Sequence, residues 1–279
     1  MNPLLAGKVG IVTGASRGLG RVIAATAAAE GAVVVACGRS EADSNVNGDR
    51  DAPPGAGVRY RTLDVTREAD VAVLVRDTVA QYGRLDFIVN CAGSPTAEPR
   101  AVLRDRLTGA LPPNSVLTAT EPEYSAVNDV NAAGPLWMCK HAAEAMLAAG
   151  HGGAIVNIGS IAGLAGQAHW VPYTMAKHAL VGLTRALAAD RRLAGAGIRC
   201  NCVCPSFIGS PAEPGSVLAT GGEPSPFIAK LNGLHPPGRI ATQEEIANLV
   251  VFLCSDRIPF LNGVAIPIDG GLMASLWPQ

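Results

Sequence analysis

Tyr173 and Lys177 have the types and the spacing for acid–base chemistry, because they stand four residues apart in the stretch HWVPYTMAK. Side chains four apart on a helix share one face. A phenol has a pKa of about 10, so it can donate a proton at neutral pH, and a neighbouring ammonium lowers that pKa by stabilising the phenolate. Such a pair could protonate a carbonyl oxygen during reduction of a ketone. The spacing alone also fits a surface lysine beside a half-buried tyrosine, so the rest of the chain must decide.

A glycine-rich turn near the start of the chain could bind a nucleotide. The stretch TGASRGLG carries Gly14, Gly18 and Gly20 between a short apolar run and an alanine-rich run. Glycine lets a backbone turn tightly and approach a pyrophosphate, whose charge is met by a helix N-terminus. The spacing G-x-x-x-G-x-G differs from the dinucleotide fingerprint G-x-G-x-x-G, so the turn carries weight only with a strand before it and a helix after it.

The elements that must position these residues alternate between strand and helix along the whole chain. The apolar strand runs are continuous, which indicates a parallel sheet covered on both faces. We therefore predict one α/β domain over residues 1–279, a doubly wound sheet of the Rossmann type. The predicted strands are 8–14, 32–38, 58–65, 84–93, 152–160, 197–205 and 262–271, and the predicted helices are 17–31, 67–83, 123–150, 172–195 and 242–255. Thr242 and Glu245 form a capping-box pattern at the start of the last helix.

Composition argues against several classes of partner. The net charge of −1 gives no sign of a nucleic-acid or anionic-membrane partner. We expect no membrane span and no signal peptide, because apolar runs fall short of about 20 residues and the N-terminus lacks a basic region before an apolar one. Cys200, Cys202 and Cys204 alternate along one predicted strand. We expect them to pack as small buried residues, without a metal, in a reducing compartment, the cytoplasm.

Two long segments follow the carboxyl ends of predicted strands, the edge at which open α/β sheets bind ligands. Residues 94–122 and 206–239 are longer than ordinary connections, so we expect both to form substrate-side loops at the rim of the site. The second segment is rich in glycine and proline outside SPFIAKLNG, which predicts a short helix inside a lid. A surface loop without such a function is the alternative.

Together, TGASRGLG, NCAG at 90–93 and Ser160 thirteen residues before Tyr173 resemble the short-chain dehydrogenase/reductase family, in particular its NADPH-dependent ketoreductases. The resemblance extends from Lys8 to Gly271 and includes DVN at 129–131, PSFIGS at 205–210 and IPIDGG near the C-terminus. It implies a catalytic set of four residues. Tyr173 would be the acid, Lys177 would lower its pKa and bind ribose hydroxyls, and Ser160 would orient the substrate oxygen. Asn131 would hold a water that connects Lys177 to solvent.

The resemblance also implies that NADP(H) is the cofactor. Gly38 stands where NAD-dependent members carry aspartate, and Arg39 and Arg17 are placed to meet a 2′-phosphate, with Ser40 adding a hydroxyl. The expected cofactor contacts are Gly14, Ser16, Arg17, Gly18, Leu19, Gly20, Arg39, Ser40, Asp64, Val65, Asn90, Ala92, Gly93, Tyr173, Lys177, Pro205, Ile208 and Ser210. Two positions depart from the family pattern: Cys91 replaces an asparagine, and Ser206 replaces a glycine beside the nicotinamide.

The expected substrate is a bulky, partly apolar carbonyl compound. Its candidate contacts are Ser94, Ser160, His169, Trp170, Tyr173, Phe207 and Phe227. Other functions remain open: an NAD-dependent alcohol dehydrogenase, a family member that isomerises, cyclises or dehydrates with the same tyrosine, or a non-catalytic dinucleotide sensor. By resemblance, residues 121–150 and 171–195 would pair two subunits, and the last strand would complete a homotetramer, most simply with D2 symmetry. A homodimer is the alternative.

Overall fold

A computed structural model of the protein describes residues 3–39, 57–96, 115–209 and 225–274. In these ranges seven strands form one parallel sheet in the order β3-β2-β1-β4-β5-β6-β7. The predicted fold class is therefore confirmed. The strands are β1 (Val9–Thr13), β2 (Val33–Gly38), β3 (Gly57–Thr62), β4 (Phe87–Asn90), β5 (Gly153–Ile158), β6 (Ile198–Pro205) and β7 (Ala265–Ile268).

The helices of the described residues connect the strands and cover both faces of the sheet. Strand order reverses between β1 and β4, and open sheets of this kind bind ligands outside the strand carboxyl ends at such a reversal. The helices are α1 (Gly18–Ala29), α2 (Glu68–Tyr82), α3 (Glu121–Asn128), α4 (Gly134–Ala149), α5 (Val171–Ala189), α6 (Arg191–Gly195), α7 (Pro226–Leu234) and α8 (Gln243–Cys254), with a π-helical turn at Asp129–Ala133 and a 3₁₀ turn at Ile161–Gly163.

Neighbouring residues along a strand are buried on opposite faces of the sheet, as the continuous apolar runs predict. Ile11 and Val12 are both fully buried, yet they belong to different core clusters. Val12 packs on the side of α1 and α8, and Ile11 packs on the side of α2 and α4. Burying an aliphatic side chain of this size contributes about 1.5–3 kcal/mol, so both layers stabilise the sheet that carries the site.

The structure breaks one predicted helix and confirms two other local predictions. The helix expected over 172–195 ends at Ala189, because the Asp190 side chain accepts hydrogen bonds from the backbone N–H groups of Arg192 and Leu193 and starts a new helix. The capping box of Thr242 and Glu245 is present. The short helix predicted within SPFIAKLNG is α7.

The helix expected over 123–150 is continuous but irregular at its centre. Pro135 has no N–H, so it cannot donate to the Asn131 carbonyl in the ordinary α-helical pattern. The chain instead widens into the π-helical turn at 129–133, which contains Asn131. Turns of this type occur frequently at functional sites.

The remaining structural expectations concern cysteines, metals and membranes. All seven cysteines are free thiols, and Cys200, Cys202 and Cys204 are buried. Among the described residues, no group of three or more histidine, cysteine or acidic side chains could hold a metal ion. None of the helices in these ranges has both the length and the apolar character needed to cross a membrane.

Candidate active site

A cleft of about 1190 Å³ lies at the carboxyl ends of the strands. Residues that follow β1, β2, β4, β5 and β6 line it, and α5 contributes Tyr173 and Lys177. Parallel strands bring their carboxyl ends to one edge, so residues far apart in sequence meet there. The glycine-rich turn and the tyrosine–lysine pair therefore belong to one cleft.

Lys177 is buried and firmly held. Only 5% of its surface is exposed, and Nζ donates a hydrogen bond to the Ile158 carbonyl oxygen at 2.8 Å. Nζ also lies 5.4 Å from the centre of the Tyr173 ring. An ammonium has three hydrogens, and this bond uses one, so two are left to meet a ligand or the phenol. The pair expected from the sequence is therefore formed.

Ser160 follows β5 and begins the 3₁₀ turn. Its Oγ accepts a hydrogen bond from the backbone N–H of Ala162 at 3.1 Å. Because the hydroxyl accepts in this bond, its own hydrogen is available to a ligand oxygen. Gly163 lets the turn pack against α5, since a Cβ there would lie 2.7 Å from the Lys177 carbonyl oxygen. The turn thus fixes Ser160 close to the tyrosine–lysine helix.

Asn131 projects from the π-helical turn towards the same cleft wall. Its Nδ2 donates to the carbonyl oxygens of Ser94 and Val127, both at 2.8 Å, and its buried Oδ1 has no hydrogen-bond partner among the residues that the structure describes. A Cβ at Gly93 would lie 2.7 Å from this Oδ1 and 3.6 Å from Lys177 Nζ. Gly93 therefore lets the chain pass beside both polar atoms. All four residues of the expected catalytic set are brought together.

The glycine-rich turn has the shape that a pyrophosphate needs. Gly14 has a φ of +66°, and a Cβ there would lie 2.7 Å from the Ala92 Cα. A Cβ at Gly20 would collide with the Gly14 carbonyl. The first residues of α1 line the cleft, so the N–H groups of its first turn are available to bind an anion there. The residues present fit a dinucleotide.

The end of β2 would hold the adenine ribose. A Cβ at Gly38 would lie 2.5 Å from the Tyr60 hydroxyl and 3.0 Å from the Ser16 Cβ, so an acidic side chain has no room there without rearrangement. Arg39 is exposed at the rim of the cleft. Asp64 lies opposite, with Oδ1 accepting hydrogen bonds from the Thr66 N–H and hydroxyl.

Cys91, one of the two departures from the family pattern, also lines the cleft. Burial raises the pKa of its thiol to about 12, although the charge of Lys177 acts in the opposite direction. The thiol therefore stays protonated at neutral pH and supplies neither a nucleophile nor a base to the cleft.

Most of the expected contacts line the cleft, but five of the described ones do not. The Asn90 amide donates to Asn157 in a buried network between β4 and β5, away from the cleft. Phe207 and the α7 residue Phe227 pack against the small apolar cluster of Ile228, Leu231 and Ile240. His169 is exposed and Trp170 is half-buried, and neither reaches the cleft wall. Ser40 and Ser210 lie outside the described residues.

The structure adds residues that sequence reasoning missed. Thr66, Ala126, Asp129 and Gln243 also line the cleft. Thr66 follows Asp64 by two positions, so the hydroxyl–carboxylate pattern DVT could have indicated it. Gln243 gives no comparable signal, because it reaches the cleft only through the placement of α8 behind the sheet.

The similarity of this chain to known proteins agrees with this geometry. A family model described as enoyl-(acyl carrier protein) reductase matches residues 14–273. The fold and the cleft thus define a dinucleotide-binding oxidoreductase. The chain belongs to the short-chain dehydrogenase/reductase family.

Three similar proteins include both reductases and a dehydrogenase. The 3-oxoacyl-[acyl-carrier-protein] reductase FabG of Chlamydia muridarum is 34% identical over 98% of this chain and 100% of its own. The short-chain reductase protein NovJ of Streptomyces niveus is 34% identical over 94% of this chain and 93% of its own. The cis-4-hydroxycyclohexanecarboxylate dehydrogenase of Sinomonas cyclohexanicum is 35% identical over 98% and 100%.

Proposed function

We propose that this protein reduces the carbonyl group of a bulky, partly apolar small molecule to an alcohol with NADPH, and that Tyr173 donates the proton. One observation carries the proposal: Ser160, Tyr173 and Lys177 line the cleft that also contains the glycine-rich turn. Asn131 is buried behind this surface, next to Gly93 of the cleft wall. The bound nicotinamide would supply a hydride to the carbonyl carbon. The protein must then supply the proton and hold the oxygen.

Each of the four side chains has a distinct task in this proposal. The Ser160 hydroxyl donates a hydrogen bond to the substrate oxygen and orients it. Tyr173 transfers its phenolic proton to that oxygen, and the Lys177 ammonium stabilises the phenolate left behind. Asn131 supports proton resupply, because its buried Oδ1 offers an acceptor on the side of Gly93 that also faces Lys177.

Several finer assignments belong to the same proposal. NADPH rather than NADH is supported by Gly38, where a side chain would have to displace the Tyr60 hydroxyl, and by the position of Arg39. Ser94 lines the cleft and is the candidate substrate contact beyond the catalytic residues. The other expected substrate contacts, and the lid role of 206–239, remain predictions. Seven free thiols fit a reducing compartment such as the cytoplasm.

The reaction is tested by following nicotinamide absorbance with a panel of ketones, oxoacyl thioesters and enoyl thioesters. We expect NADPH consumption with at least one ketone or oxoacyl compound and formation of one alcohol per cofactor consumed. Consumption with enoyl compounds alone would contradict carbonyl reduction, since hydride would then add to a carbon–carbon double bond. Alcohol oxidation with NAD alone would favour the dehydrogenase alternative.

We also propose a homotetramer. Tyr124, Leu136 and Met175 expose 42–50% of their surfaces on α3, α4 and α5, and Phe260 is fully exposed in the segment before β7. Exposed large apolar side chains on these two faces are suited to subunit contacts. Light scattering should give four times the chain mass over a wide dilution range. A dilution-stable monomer would reject this assembly. A stable dimer would show that only one of the two faces forms a subunit contact.

A further inference from the structure

Ser206 and His235 form a hydrogen-bonded pair that joins the cleft to α7. Ser206 follows β6 directly and lines the cleft with Tyr173 and Lys177. Its Oγ lies 2.9 Å from Nε2 of His235, which follows the last residue of α7 and is only 4% exposed. The family pattern has a glycine in place of Ser206, so this pair has no counterpart among the expected site residues.

The second nitrogen of His235 sets the direction of this hydrogen bond. Nδ1 lies 2.7 Å from the Leu231 carbonyl oxygen, and a carbonyl can only accept. Nδ1 therefore carries the hydrogen, and in neutral imidazole the lone pair is on Nε2. The Ser206 hydroxyl must then donate to His235. Its hydrogen points away from the cleft, and Oγ presents only lone pairs to a ligand.

Ser206 is held in place from the other side as well. Its backbone N–H lies 3.4 Å from the Ile268 carbonyl oxygen, and the Phe207 carbonyl accepts from the Ala241 N–H at 3.3 Å. The Phe207 ring meets the His235 ring edge-on, with centroids 6.4 Å apart. The backbone and the hydroxyl of Ser206 are thus both fixed, as a residue that positions a ligand requires.

We propose that Ser206 and His235 are a positioning pair for the nicotinamide carboxamide, with Ser206 Oγ accepting a hydrogen bond from the amide NH₂. This inference rests on the proposed use of a nicotinamide cofactor in this cleft. Of the groups expected near Ser206, the amide nitrogen is a donor, whereas a ketone oxygen is an acceptor. An oxygen held as acceptor-only therefore matches the carboxamide and not the substrate carbonyl.

The test is calorimetric titration of the whole protein with NADP⁺ and with its 3-acetylpyridine analogue, in which a methyl group replaces the amide NH₂. For NADP⁺, Ser206→Ala and His235→Asn should each raise Kd about two- to tenfold, the range expected for one net hydrogen bond. Their double variant should show no further loss. Asparagine keeps a donor for Leu231 but does not reach Ser206. His235→Gln places an amide oxygen near the former Nε2 and should restore affinity.

Two controls separate positioning from a general loosening of the structure. The Ser225 side chain caps α7 and lies outside the pair, so Ser225→Ala weakens the helix alone and should leave Kd unchanged. With the acetylpyridine analogue, Ser206→Ala should cost nothing, because the NH₂ donor is absent. Equal losses with both cofactors, no loss with NADP⁺, or the same loss in Ser225→Ala would overturn the proposal. These titrations involve no turnover, so they remain informative if carbonyl reduction itself is rejected.

Discussion

Replacing Tyr173 with phenylalanine should lower kcat by at least about 10²-fold, the usual contribution of a general acid, while cofactor binding is retained. The variant removes the proton donor and keeps the ring that packs 5.4 Å from Lys177 Nζ. Lys177 also keeps its bond to the Ile158 carbonyl. Steady-state rates and a cofactor titration on the same preparation would separate the chemical step from binding.

A matched control is Tyr82→Phe, which makes the same chemical change on α2 at a residue that does not line the cleft. We expect its kcat to equal that of the wild type. Near-normal turnover of Tyr173→Phe would show that another group protonates the oxygen, and the role of α5 in the proposed mechanism would be lost.

The second large effect concerns the choice between NADPH and NADH. We expect the wild type to prefer NADPH, and Arg39→Ala to reduce kcat/KM for NADPH by about tenfold, with little change for NADH. A guanidinium binds a phosphate by paired charge-assisted hydrogen bonds, and solvent exposure at the rim reduces their contribution. NADH lacks the 2′-phosphate, so removing the Arg39 guanidinium should leave its kcat/KM nearly unchanged.

Arg76→Ala is the control for a general loss of positive charge, since Arg76 is an exposed arginine of α2 beside Asp77 and does not line the cleft. It should change neither cofactor's kcat/KM. Equal use of NADH by the wild type, or an unchanged preference in Arg39→Ala, would overturn the NADPH assignment and favour the dehydrogenase alternative.

The sheet and the positions of the proposed catalytic residues could be predicted because each follows from a local pattern. Continuous apolar runs mark buried parallel strands, and the spacing of Tyr173 and Lys177 places them on one helical face. Their partners Ser160 and Asn131 were predicted through motifs that accompany this pair in the family. In the structure Ser160, Tyr173 and Lys177 line one cleft, and Asn131 lies buried beside Gly93 in its wall.

Other features depend on contacts between distant segments, which no local pattern records. Asn90 lies in an apolar run of the sequence, and that run does not show where its amide points. Only the pairing of β4 with β5 directs the amide to Asn157. Residues 206 and 235 are joined by a hydrogen bond across a sequence gap that includes α7. The helix break at Asp190 could have been predicted from the sequence, because aspartate is a strong N-cap residue.

The most direct test of carbonyl reduction is the fate of the hydrogen carried by the cofactor. NADPH deuterated on one face of C4 of the nicotinamide should be incubated with an accepted ketone, and the alcohol analysed by mass spectrometry and NMR. If the account is correct, one of the two labelled forms transfers its deuterium to the carbinol carbon, with one alcohol formed per cofactor oxidised. A product that forms with no label and no loss of nicotinamide absorbance would contradict it and would point to isomerisation, cyclisation or dehydration.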